Sequence, residues 1–302
     1  VIDEFTAVVC SAVLAEHGEG VVWDQARGEL LWVDVGAGRL HRGRPGRAAI
    51  EYLGAFELGC PLGAIAPAQG GGWIAAAGPG FARLEPDGVI TWVARPAAGQ
   101  PEVRMNDGAC DPAGRFWAGT MAYAETPGAG TLYRLDPDGA TTAMLTGTTI
   151  SNGLGWSIDG HTLWFADSGD ATVDAFDFDP QTGGISGRRT VVEFDPSDGV
   201  PDGLVVDAHD HVWVAVWNGG EVRRYSPDGD LVARVHLPVS RPTSCCFGGP
   251  ELDSLFISTA RKGLPDDVLR DEPDAGRLFS VQPGTRGVAQ PPYAAHLPRR
   301  SH

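Results

Sequence analysis

Glu19, Asn106, Asp107, Asn152, Asp202, Thr243 and Ser244 stand at equivalent points of an internal repeat, each just ahead of a short apolar run. Carboxylate, amide and hydroxyl oxygens are the donors that hard divalent cations prefer, and zinc also accepts carboxylate. Two carboxylates balance a divalent charge, and an amide carbonyl fills the shell without adding to it. The pattern therefore predicts metal chemistry, provided the fold brings the copies to one point. Taken singly these residues read otherwise, since Asn152-Gly153 and Asp202-Gly203 are also common turn dipeptides. Their shared register argues for a site. Other turns of the chain use Pro-Asp-Gly, as at residues 86–88, 137–139 and 227–229, and these fall between later strands.

The elements that must position them recur six times. The first apolar strand begins at Glu19, Leu62, Asn106, Asn152, Asp202 and Thr243, and a polar turn follows. A second strand rich in Trp and Phe then begins near Leu30, Gly72, Arg115, Thr162, His211 and Ser254. The spacing is roughly 45 residues, a period of propellers, solenoids and arrays. Residues 202–237 show a whole unit: four short strands separated by turn signals at 208–210, 218–220 and 226–229. Four antiparallel strands repeated six times predict an all-β, six-bladed β-propeller. The first strand of each blade lines the central channel, so the column of oxygen donors becomes a ring at its mouth. No long window carries helical periodicity. Residues 123–130 and 261–276 break the pattern after second strands, and are expected to be long loops shaping a site. An open ring would leave a sheet edge exposed, so a strand at residues 5–10 is expected to complete the last blade. The units run end to end, predicting one domain over residues 1–302 with a frayed extreme C-terminus.

The 302 residues carry a formal net charge of -16. That balance argues against nucleic acid and against an anionic membrane surface. No stretch approaches the roughly 20 apolar residues of a membrane span, and no signal peptide is expected from the N-terminal residues. Five cysteines without regular spacing do not form a disulfide framework. A reducing compartment, the cytoplasm, is the expectation. The number of subunits is left open.

The chain also resembles the SMP-30/gluconolactonase/regucalcin-like (LRE) family of six-bladed propellers. The resemblance rests on Gly18-Glu19-Gly20-Val21-Val22-Trp23, Arg104-Met105-Asn106-Asp107-Gly108, Ala118-Gly119-Thr120-Met121, Ile150-Ser151-Asn152-Gly153-Leu154, Val200-Pro201-Asp202-Gly203 and Thr243-Ser244-Cys245-Cys246-Phe247-Gly248-Gly249. Asp174 to Asp177 and Ala260 to Gly263 also fit, so the motifs span essentially the whole chain. The resemblance implies one divalent cation (Ca²⁺, Zn²⁺, Mn²⁺, Mg²⁺ or Fe²⁺) held by Glu19, Asn152 and Asp202. It implies substrate binding by Arg104 and Asn106. An acidic residue that some members place after Ala-Gly-Thr-Met falls here at Ala124, with Glu125 beside it.

The implied activity is hydrolysis of a sugar lactone to its aldonic acid, with the cation polarising the carbonyl and Asp202 accepting the proton of the attacking water. The partner is then a small-molecule sugar lactone. Two other readings share the fold: a metal-dependent organophosphate or ester hydrolase, and a non-enzymatic calcium-binding or scaffold propeller. Other signals are assigned no chemistry. His209 and His211 sit in an outer turn, Cys245-Cys246 reads as buried strand, and Trp32, Trp117, Trp164 and Trp213 read as core between blades. Ser168 and Ser244 have no histidine at triad spacing.

Overall fold

Val, Ile, Trp and Phe in each second strand favour extended backbone and a pleated surface. In the computed structural model, which describes residues 2–295, those strands are buried on both faces. Glu29–Asp34, Trp73–Ala77 and Phe116–Ala122 are buried along their whole length. The outermost strands are half-exposed, as in Gly184–Glu193. This gradient is the signature of sheets stacked face to face around an axis. The hydrogen-bonded sheets are six, each running from an inner to an outer strand, and the fold is a six-bladed β-propeller of antiparallel strands. The innermost strands are Gly18–Asp24, Leu62–Pro67, Val103–Cys110, Ser151–Trp156, Val200–Val206 and Pro242–Gly248.

A buried ion pair with an indole repeats through the blades. The Asp207 carboxylate is wholly buried. It accepts from the Trp213 indole at 2.9 Å and from Arg224 Nε at 2.8 Å, and closes its turn by accepting the His209 and His211 backbone N–H groups. Asp111 does the same for Trp117 and Arg115. Asp24 takes Arg27 from its own blade and the Trp73 indole from the next. The tryptophans Trp32, Trp117, Trp164 and Trp213 are all buried. His209 and His211 belong to the Asp207 turn.

Ring closure differs in detail from the expectation that residues 5–10 complete the last blade. Val8–Val9 pairs antiparallel with Phe279–Val281 as the outer strand of the sixth blade. Asp3–Thr6 instead runs parallel to Leu231–His236 as a fifth strand of the fifth blade. Two neighbouring sheets lack an outer partner at this point, and one short segment covers both edges by crossing between them. Residues 261–276 are not all loop, since Asp266–Asp271 forms a short helix. After Val281 the chain crosses the disc on the far side. It bridges Asp207 at Gly287 and Ala68 at Tyr293, whose buried hydroxyl donates to Asp136 O at 2.8 Å. Gln290 there lines a channel cavity of about 20 Å³ with Val22, Ile65, Ala109, Leu154 and Leu204, room for about one water. Fraying of the extreme C-terminus lies outside the described residues. Among them, no helix is long and apolar enough to cross a membrane.

Replacing Asp207 by Ala strands the Arg224 guanidinium and the Trp213 indole. Breaking a buried pair this way costs about 3–5 kcal/mol. Urea unfolding of Asp207→Ala should show a loss of that size, with a smaller loss for Asp207→Asn, which keeps an oxygen acceptor. A change below about 1 kcal/mol in the alanine variant would show that the pair contributes no more than a surface salt bridge.

Candidate metal centre

The ring column coincides with a backbone irregularity in every blade. Pairing between first and second strands shifts register between Glu19 and Val22, Met105 and Gly108, Ser151 and Leu154, and Pro201 and Leu204. The second and sixth blades shift between Leu62 and Ala64 and between Pro242 and Ser244. A bulge of this kind bends the strand and re-aims a side chain. Glu19, Asn106, Asp107, Asn152 and Asp202 therefore turn off the ladder, and all five are buried.

Carboxylates at the ends of second strands hold the incoming segments. Asp34 accepts the backbone N–H groups of Glu16 and His17, at 2.9 and 3.2 Å, just ahead of Glu19. Asp167 accepts those of Thr149 and Ile150, both at 2.9 Å, just ahead of Asn152.

The structure brings the expected residues together. Asn106 Nδ2 donates to Ser151 O at 2.9 Å and approaches Asn152 Oδ1 at 3.3 Å. Arg104 Nη1 donates to Asn106 Oδ1 at 2.6 Å and to Met105 O at 2.9 Å. Glu19 and Asn152 both lie beside the Asp202 carboxylate. Asp202 Oδ1 is buried and has no hydrogen-bond partner. Burial, reinforced by the charge of Asp107, holds Glu19 well above the usual carboxylate range. Burial, then the charges of Glu19 and Asp107, also raises Asp202 well above its ordinary value. Asp107 is pushed up to about 6 by burial. Arg104 is itself lowered by burial, while Glu19, Tyr123, Asp202 and Glu125 support its charge. His17 Nε2 is 3.9 Å from Glu19 Oε1. Burial, and then Arg104, Lys262 and Arg241, depress His17 to about 3, so it stays neutral and adds no positive charge.

This donor set suits a divalent cation. It gathers anionic and amide oxygens, one of them an orphan, in a buried place with surplus negative charge. Among the described residues no three His, Cys, Asp or Glu side chains form a ligand cluster by themselves, so the set depends on the Asn152 amide.

Ser168, set aside above because it lacks a histidine, fixes that amide. Its hydroxyl donates its only proton to Pro201 O at 2.6 Å, and can then only accept from Asn152 Nδ2 at 2.8 Å. The Asn152 carbonyl oxygen is thereby turned towards Asn106. Other ring members point elsewhere. Thr243 Oγ1 donates to Gly18 O at 2.7 Å, tying the sixth blade to the first. Ser244 and Asp107 line the cavity below the ring. Ala124 and Glu125 are exposed, and Glu125 has a positive φ of 53°. All five cysteines are free, and Cys245 and Cys246 are buried.

Comparison with known proteins follows the same geometry. Residues 17–261 match the model of the SMP-30/Gluconolactonase/LRE-like region. Regucalcin of Danio rerio is 38% identical over 289 residues, 92% of this chain and 94% of its own. The crystal structure of a calcium-binding protein, regucalcin, from Agrobacterium tumefaciens superposes with a TM-score of 0.90 at 29% identity, covering 97% of this chain and 99% of that one. A luciferin-regenerating enzyme superposes with a TM-score of 0.87 at 29% identity, covering 96% and 100%.

Blades meet closely at the ring. A Cβ on Gly153 would lie 2.4 Å from Leu204 N and 2.7 Å from Asp202 O. One on Gly63 would lie 2.2 Å from Asn106 O, so the copy without an oxygen side chain is the one that makes room for its neighbour. Gly153→Ala should cost about 1–3 kcal/mol in denaturant unfolding, the usual range for overpacking. Gly99→Ala, where a Cβ meets nothing within 4 Å, should stay within about 0.5 kcal/mol of the parent. Equal effects in the two variants would contradict the close approach.

Proposed function

The chain belongs to the SMP-30/gluconolactonase/LRE-like family, and we propose that it is a divalent-metal-dependent hydrolase opening a sugar lactone to its aldonic acid. One observation carries this reading: the unpartnered, buried Asp202 Oδ1 beside Glu19 and Asn152. These three residues hold the cation, with Ca²⁺, Zn²⁺, Mn²⁺, Mg²⁺ and Fe²⁺ all compatible with oxygen donors. When bound, the cation polarises the lactone carbonyl and offsets the negative charge that develops on its oxygen.

The chain's own residues do the rest. Asp202 accepts a proton from water as the water oxygen bonds to the carbonyl carbon. The bond from that carbon to the ring oxygen then breaks, and the ring oxygen leaves as a hydroxyl after taking up the proton. Arg104 and Asn106 are locked to one another at 2.6 Å. The N–H groups left on Arg104 and the second lone pair of Asn106 Oδ1 are pre-organised for the sugar's ring oxygen and hydroxyls, which fixes the reacting carbon. Five free cysteines, four of them buried, suit a reducing compartment, and we place the protein in the cytoplasm.

Lactone hydrolysis by purified protein, followed as proton release, should be lost on chelation and restored by added cation. Asp202→Ala and Glu19→Gln should each lower kcat by about 10²-fold or more. Full activity in either variant would remove this mechanism. A parallel panel of phosphotriesters and aryl esters decides the substrate class, since faster turnover there than on lactones would move the assignment.

Ser168→Ala frees the Asn152 amide to flip. Calorimetric titration of the apoprotein with Ca²⁺ or Zn²⁺ should then show cation affinity lowered by about tenfold. An unchanged affinity would show that the hydroxyl does not set the amide.

A further inference from the structure

The mouth of the channel is unevenly charged. In a chain of net charge -16, the only lysine is Lys262, in the loop that follows the second strand of the sixth blade. Its backbone N–H donates to Glu16 O at 2.8 Å, which pins that loop onto the segment delivering Glu19. Its carbonyl accepts from Arg241 Nη1. Arg241 Nε donates to Asn218 Oδ1 at 2.8 Å, and the guanidinium lies 4.9 Å from the centroid of Trp217. The Trp217 ring is 5.7 Å from that of His17, which in turn meets Glu19. A continuous wall thus runs from the metal ring through His17 and Trp217 to Arg241 and Lys262.

These two cations differ from most others in the molecule. Arg42, Arg115, Arg188 and Arg224 are each paired with a buried carboxylate. Among the described residues, neither Arg241 nor Lys262 has a carboxylate within 4.0 Å. The acid whose charge acts on Arg241 is Glu272. Its Oε2 is taken by the Ser240 backbone N–H and hydroxyl, at 2.8 and 3.0 Å. The arginine is stacked and bonded on one edge, so little freedom remains to be lost on meeting a ligand. Arg104 is different, because the charges of Glu19, Asp202 and Glu125 act on it. Arg241 and Lys262 present two positive charges without such carboxylate partners.

We propose that the lactone opened here carries a carboxylate at the end remote from the reacting carbonyl, and that Arg241 and Lys262 bind it. The inference rests on the lactonase reading and adds the substrate class. On this proposal the carbonyl sits at the Glu19, Asn152 and Asp202 set, the ring hydroxyls on Arg104 and Asn106, and the chain end against Arg241 and Lys262, whose charges both act on His17 beside Glu19. A neutral primary alcohol there leaves both cations to water. A carboxylate makes charge-assisted hydrogen bonds with them. The overall negative charge repels anions elsewhere on the surface, so this wall also steers an anionic substrate to the mouth.

The test compares D-glucaro-γ-lactone with D-glucono-γ-lactone, which differ at the terminal carbon. The carboxylated lactone should show a kcat/KM higher by at least about tenfold, the size of one charge-assisted hydrogen bond, expressed mainly in KM. Raised salt should shrink that ratio. Lys262→Glu and Arg241→Gln should each collapse the ratio, and Lys262→Arg should keep it, with thermal unfolding confirming that each variant is folded. Hydrolysis of both lactones at equal kcat/KM would overturn the inference and leave the lactonase reading standing. If neither is hydrolysed, the lactonase reading fails, and calorimetry of the metal-loaded protein with glucarate and gluconate reads the anion site directly. Preference for glucarate that is lost in Lys262→Glu supports the site, and equal binding overturns it.

Discussion

Three carboxylates, Glu19, Asp107 and Asp202, are buried in one narrow channel, and a single guanidinium, Arg104, is buried beside them. Buried charge of one sign is held together only against its own repulsion and the loss of hydration. The ring of blades has to supply that constraint, and much of what surrounds the axis is explained by it. Each carboxylate enters from a different blade, on a strand whose pairing lapses where the side chain must leave the sheet.

Rigidity comes from outside the ring. Asp34 and Asp167 clamp the segments ahead of Glu19 and Asn152, and Ser168 fixes the sense of the one amide in the set. At the other end of the same innermost strands, Asp24, Asp111 and Asp207 hold an indole and an arginine each. The same residue type therefore has three jobs: an oxygen donor at the start of the first strand, a backbone clamp at the end of the second, and an ion-pair anchor at the far end of the first. The glycines beside the donors let neighbouring blades come into backbone contact, which fixes the spacing of the donors.

The fold was legible because a sixfold repeat amplifies weak local signals: one Trp-rich strand proves little, and six in register imply a ring. The whole column, Glu19, Asn106, Asp107, Asn152, Asp202, Thr243 and Ser244, stood out for the same reason, being equivalent positions, and the family resemblance singled out Glu19, Asn152 and Asp202 among them. Ser168 did not, because its role depends on Pro201 in the next blade, which no spacing within its own copy reveals. Asp34 and Asp167 were hidden by chemistry, since an Asp at a strand end reads as an ordinary turn former. The split of the N-terminal segment between two sheets was also out of reach, because the partners of Asp3–Thr6 and Val8–Val9 lie more than two hundred residues along the chain.

That last pairing bears on the order of events during synthesis. Residues 3–9 are made well before the strands they join, Leu231–His236 and Phe279–Val281, which follow more than two hundred residues later. Until then the nascent ring is an open stack of sheets with apolar blade faces uncovered, and contacts of such long sequence separation form slowly. The final blades are therefore both the closing step of folding and the stretch of translation during which the unfinished chain most needs protection from aggregation.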